Sequence, residues 1–167
     1  MAPMNKIAAG LFLTWALSDL EELWTMSRSS RYVLPRLPAV LPIPQRLRRD
    51  GVSQRHVSAS IAMMGLLIGA ASVEGARTQG RSPFFRGVLL AYGLHGFGHL
   101  GMVAVARRYV SGALTAPVIV IPYWLWARRE LTRQGVAEVD VAAVAVAVAG
   151  PVMLMGVHAL MYRLMHD

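Results

Sequence analysis

The octapeptide LSDLEELW, residues 17–24, sets Asp19, Glu21 and Glu22 inside a segment that is otherwise apolar from Ile7 to Trp24. The whole chain has only nine carboxylate side chains, so three of them in one apolar stretch need a reason. If the first helix ends near Ser18, these acids sit in water. If it continues through Trp24, they lie at bilayer depth, where a carboxylate costs about 2.5–3.5 kcal/mol. Leu20, Leu23, Trp24 and Met26 keep the segment apolar beyond Ser18, which favours continuation. The expectation is an all-α integral membrane bundle with polar groups turned inward.

Composition agrees. Of 167 residues, 55% are hydrophobic and 16% charged, and mean hydropathy is +0.45; a soluble domain carries about 25% charged residues. Cysteine is absent, which excludes disulfides, thiol catalysis and Cys-held cofactors. The net charge of +8 does not read as a nucleic-acid surface, because the basic residues fall between apolar segments. Arg at such positions suits anionic lipid headgroups and the positive-inside bias. The preponderance of Arg over Lys, with abundant Ala, Gly and Val, is the composition of a GC-rich bacterial genome. The apolar run after Lys6 is followed by acids and by no small-x-small cleavage site, so it reads as a retained helix.

Five helices of crossing length are expected in one domain over 1–167: about 5–26, 56–76, 83–107, 110–131 and 137–164. The spans suit the roughly 20 residues that hydrocarbon requires. Residues 27–55 hold four prolines and seven arginines and read as a loop on the membrane surface. Pro117 and Pro122 should kink the fourth helix. Glu138 and Asp140 lie near the positive end of the fifth. With five crossings, ten basic residues face one side and seven the other, placing the N-terminus outside the inner or plasma membrane. No internal repeat is evident.

Ser18, Glu21 and Glu22 are spaced i, i+3, i+4 and share a helical face, with Asp19 about a quarter turn away. Helix three offers partners: YGLHGFGHLG, residues 92–101, aligns Tyr92, His95 and His99 among glycines that permit close helix approach. Two imidazoles at i, i+4 also have the spacing that lets them hold one metal ion. Counted from the expected inner ends, Glu21, Glu22, His99 and His158 agree in depth within about 5 Å. Glu74 falls near an outer helix end, His56 borders the site and His166 belongs to a solvated tail. The expected pocket contains Glu21, Glu22, His95 and His99, with Ser18, Asp19, Tyr92 and His158 around them.

These motifs resemble the multi-pass bacterial membrane proteins named for their HXXEE motif. Here the motif reads Ser18-Asp19-Leu20-Glu21-Glu22, with Ser in place of His. HVSASIAMMG (56–65), HGFGH (95–99) and RRYVSGALTAPVIVIP (107–122) follow in that family's order, so the resemblance covers about residues 10–130. It implies a compact helical membrane protein with a shared acid–histidine site. It implies no particular reaction. A second Glu-Glu pair carried on helix two by many relatives is missing here, which counts against a dinuclear centre.

Three functions follow from such a pocket. The first is acid–base catalysis of isomerisation, cyclisation or hydration on a lipophilic small molecule, with no cofactor: one carboxyl acts as acid, the other as base, and a histidine relays the proton. The second places one zinc or iron ion among Glu21, Glu22, His95 and His99. The third is a small transporter or proton pathway, since such pathways use the same groups. Partners are a lipophilic molecule and membrane lipid, not nucleic acid.

Overall fold

The computed structural model describes residues 3–41, 43–136 and 139–165. Glu138 and His166 lie outside these. The described residues are helical, with no strand among them. Helix α1 is Pro3–Val33, α2 is Gln45–Asp50, α3 is Gln54–Arg77, α4 is Pro83–Ala106, α5 is Ile121–Arg133 and α6 is Val141–Met165.

Three of these are long and apolar enough to cross a membrane: α3, α4 and α6 over Val141–Leu164. On α6, Val141, Val144, Val148 and Val152 are exposed, as a lipid-facing surface requires. Helix α1 has 31 residues, about 46 Å of rise. It runs straight through the acidic stretch to Val33, seven residues beyond the expected end, because no Gly or Pro interrupts it between Gly10 and Pro35.

The proline- and arginine-rich segment is not a plain loop. It contains the short 3₁₀ turn Leu34–Arg36 and α2. The Arg48 guanidinium donates to the carbonyls of Leu34 at 3.2 Å, Leu37 at 2.8 Å, Pro38 at 2.8 Å and Leu41 at 3.1 Å. One side chain thereby ties together four carbonyls of a proline-rich segment; those of Leu34, Pro38 and Leu41 also accept the backbone N–H groups of Leu37, Leu41 and Ile43.

The expected fourth helix, 110–131, begins later. Arg107 closes α4 in a left-handed conformation, φ 50°, with its N–H on the Val103 carbonyl, and Gly112 turns the chain again at φ 79°. Residues 107–115 therefore form a re-entering turn. The helix resumes at Ala116–Val120 as a widened π segment, where Pro117 lacks the N–H a regular turn would use, and continues as α5.

The core joins α1 (Met4, Ile7, Leu11), α3 (Ile68, Ala71), α4 (Phe85, Leu89, Tyr92) and α5 (Trp124, Ala127, Leu131). Close approach explains Gly93: a Cβ there would overlap the Trp124 ring. Helix α6 packs on α3 and α4. Its start is fixed by Asp140, whose Oδ1 accepts from the Ala143 N–H at 2.7 Å and whose Oδ2 pairs with Arg86 at 2.6 Å. Those partners, the backbone N–H first, hold the Asp140 carboxyl below its ordinary range.

Candidate functional site

Helices α1 and α4 bring Glu22, His95 and His99 together. Glu22 Oε1 lies 2.9 Å from His99 Nε2 and 3.6 Å from His95 Nε2, and the two Nε2 atoms are 2.8 Å apart. The imidazoles meet edge to face, at 79°. Glu22 and His99 are buried, with side chains 6% and 10% exposed, whereas His95 is 45% exposed. The site therefore has a closed end and an open one. Leu94 and Phe97 are also exposed beside His95, and a Cβ added at Gly98 would meet nothing within 4 Å.

The other nitrogen of His99, Nδ1, lies 2.7 Å from the Ser111 carbonyl. A carbonyl only accepts, so Nδ1 carries hydrogen. In a neutral His99 the Nε2 lone pair then faces a carboxylate oxygen. Those two acceptors at 2.9 Å need a positive particle between them, either a proton or a cation.

Ser111 belongs to the re-entering turn, and α1 clamps that turn from its other side. Glu21 Oε2 accepts from the Thr115 N–H at 2.8 Å and the Thr115 hydroxyl at 2.6 Å. Its Oε1 accepts from the Leu114 N–H at 3.2 Å and from the Tyr109 hydroxyl. The Ser29 hydroxyl accepts from the Ser111 N–H at 3.0 Å. Thr25 and Ser111 hydroxyls pair at 2.9 Å, and Ser18 pairs with Thr115 at 3.2 Å. A Cβ at Gly112 would overlap the His99 ring, so the turn lies directly against the imidazole.

The expected residues thus separate. Glu22, His95 and His99 converge. Glu21 turns to the 109–115 segment, because residues one apart on a helix point about 100° from each other and the returning chain supplies donors on Glu21's side; Ser18, one turn before Glu22, reaches the same segment through Thr115. Asp19, one turn before Glu22, is half-buried. The Tyr92 hydroxyl is buried and has no hydrogen-bond partner among the described residues; its ring lies 6.3 Å from that of Tyr123.

His158 meets a different partner. Its Nδ1 is 2.9 Å from Nε2 of His56 and 3.5 Å from the Ser60 hydroxyl, joining α6 to α3. His56, treated from sequence as bordering the site, is fully buried. Two residues 102 positions apart have no spacing rule to link them; the available signal is one histidine on each of two otherwise apolar helices.

Comparison with curated proteins and with solved structures finds no match. A family model, described as a protein of unknown function with HXXEE motif, matches residues 9–127. That range takes in α1 from residue 9, α2, α3, α4, the re-entering turn and the first half of α5. It therefore holds all three converging donors and every clamp on the turn, and by it the chain belongs to the HXXEE-motif family.

Proposed function

We propose that this protein is an integral membrane enzyme in which Glu22, His99 and His95 carry out acid–base chemistry on a lipophilic small molecule. The observation that carries the reading is the His99 Nε2 atom, 2.9 Å from a buried carboxylate oxygen and 2.8 Å from a second, half-exposed imidazole. Glu22 and His99 hold a proton between them away from water. His95, at the open end, delivers it to a bound molecule or takes it away. Isomerisation, cyclisation and hydration each require such a proton exchange at a carbon framework. The exposed Leu94 and Phe97 beside His95 suit an apolar substrate entering from the bilayer. The reading includes five crossings, by α1, α3, α4, the 116–133 segment and α6, in the plasma membrane with the N-terminus outside.

The test is metabolic. Cells lacking the gene are complemented with wild type, Glu22→Gln or His99→Ala, and apolar extracts are compared by mass spectrometry. One lipophilic compound should change with wild type and revert with both variants. Wild-type behaviour of both variants would sink the assignment.

A second reading is favoured by the His56–His158 pair, which adds buried imidazoles between α3 and α6: a proton pathway. Proton uptake into proteoliposomes that His56→Ala abolishes would select it over catalysis.

A further inference from the structure

We infer that Glu22 Oε1, His95 Nε2 and His99 Nε2 bind one divalent transition-metal ion, with zinc the best match; this rests on the three residues of the proposed site and, where the ion is bound, passes the proton-transfer role from their side chains to a coordinated water. The argument begins with the donors. One carboxylate and two neutral imidazoles, with the fourth position left to water or substrate, form a recurrent catalytic zinc set.

The geometry agrees. The three atoms are 2.8, 2.9 and 3.6 Å apart. A triangle with those sides has a circumscribed radius of about 1.8 Å, slightly less than the Zn–N bond of about 2.0–2.1 Å. A point at bonding distance from all three donors therefore lies just off their plane. At that point the donors would subtend about 86°, 90° and 123°, so the two short pairs would open by a few tenths of an ångström to approach a tetrahedral set.

The surroundings agree as well. A metal-bound histidine characteristically donates its other N–H to a carbonyl or carboxylate, which fixes the ring and its tautomer. His99 Nδ1 does so to the Ser111 carbonyl at 2.7 Å, leaving Nε2 without hydrogen in the neutral ring, 2.8 and 2.9 Å from the other two donors. The hydrogen bonds that bind the 109–115 turn to α1 hold that carbonyl in place. Asp19, one turn before Glu22, supplies a second carboxylate near the cation. The exposed edge of His95 and the open space at Gly98 leave one side of the triangle accessible. Bound there, the ion would occupy the place of the proton between Glu22 and His99. It would act as a Lewis acid and lower the pKa of a coordinated water.

The experiment uses full-length protein in detergent, purified through a tag without histidine. Metal content is measured by plasma mass spectrometry as isolated. The chelator-stripped protein is then titrated with Zn(II) and, for its visible spectrum, Co(II). About one ion per chain is expected, with Co(II) bands of four-coordinate intensity. Glu22→Gln and His99→Ala should each weaken binding by about 100-fold or more, and Glu74→Gln should not change it. Gly112→Ala keeps all three donors but disturbs the partner of His99, and should weaken binding by about 10- to 100-fold. In the wild type, Co(II) should shift two imidazole signals by NMR, one with a slowly exchanging N–H from His99 Nδ1; this readout does not depend on any variant folding.

If wild type holds no more metal than Glu22→Gln/His95→Ala/His99→Ala, and no imidazole signal shifts, the inference is overturned. If the metabolic effect still needs Glu22 and His99 in that case, the acid–base reading survives without the ion. Stoichiometric metal without any metabolic effect would support the ion and remove the reaction.

Discussion

Replacing Glu21 by Gln tests whether this residue acts by holding the re-entering turn. In the native protein its two oxygens receive four hydrogen bonds, from Thr115 N–H, Thr115 Oγ1, Leu114 N–H and the Tyr109 hydroxyl. A glutamine offers one oxygen and one NH₂, so one backbone N–H then faces a donor, while the hydroxyl on that side can turn to accept. A hydrogen bond to a charged group contributes about 1.5–3 kcal/mol when desolvated. Glu21 is only partly buried, and water can replace part of what is lost, so about 1 kcal/mol per bond is a better figure. One N–H bond lost, and the remaining bonds weakened by loss of the charge, amount to about 2 kcal/mol, and at roughly 2–4 °C per kcal/mol for a chain of this size the melting temperature should fall by about 4–8 °C. Thermal unfolding in detergent, followed by circular dichroism, measures this. The exchange rate of the His99 Nδ1 hydrogen should rise in parallel, because its acceptor sits on the released turn. A Glu21→Gln protein with unchanged melting and unchanged exchange, yet no activity, would refute the reasoning and make Glu21 a chemical participant.

Three other outcomes are expected. Arg48→Lys should behave as a non-conservative change, since an ammonium cannot span the four carbonyls that the guanidinium joins; limited proteolysis should then cut between residues 34 and 44 sooner than in wild type. Gly93→Ala should cost about 1–3 kcal/mol, because the added methyl overlaps the Trp124 ring and α4 must move from α5; chemical denaturation compares the two proteins. For Asp140, the folded-state value lies below the ordinary 3.8, so its stabilising effect is complete above about pH 4 and fades as the pH falls through the folded value. The melting-temperature difference between wild type and Asp140→Asn should therefore shrink as the pH falls below the ordinary 3.8.

The apolar helices were legible because length and hydropathy are local properties: α3, α4 and α6 lie close to their expected ranges. The histidine pair was legible for the same reason, since His95 and His99 sit one turn apart on a single helix. What residues 107–120 would do was not. Their apolar character suggests one more helix, and only the contacts with Glu21, Ser29 and Thr25, nearly 90 positions away, show that the chain gains more by turning back onto α1. The division between Glu21 and Glu22 follows from that turn. Helical spacing places both near one face, and tertiary partners then choose between them. The continuation of α1 to Val33 was hidden by the arginines and prolines that follow, whose composition resembles a loop although no helix breaker occurs before Pro35.

Because Ser111 lies downstream of all three converging donors, assembly of the site depends on chain that contributes none of them. A polypeptide ending at Ala106 would carry Glu22, His95 and His99 complete, yet without the Ser111 carbonyl nothing would hold the hydrogen of His99 on Nδ1, and the Glu22 carboxylate would draw it to Nε2. During synthesis the site would stay unmade until the turn had emerged and folded back, so competence arrives late and in one step.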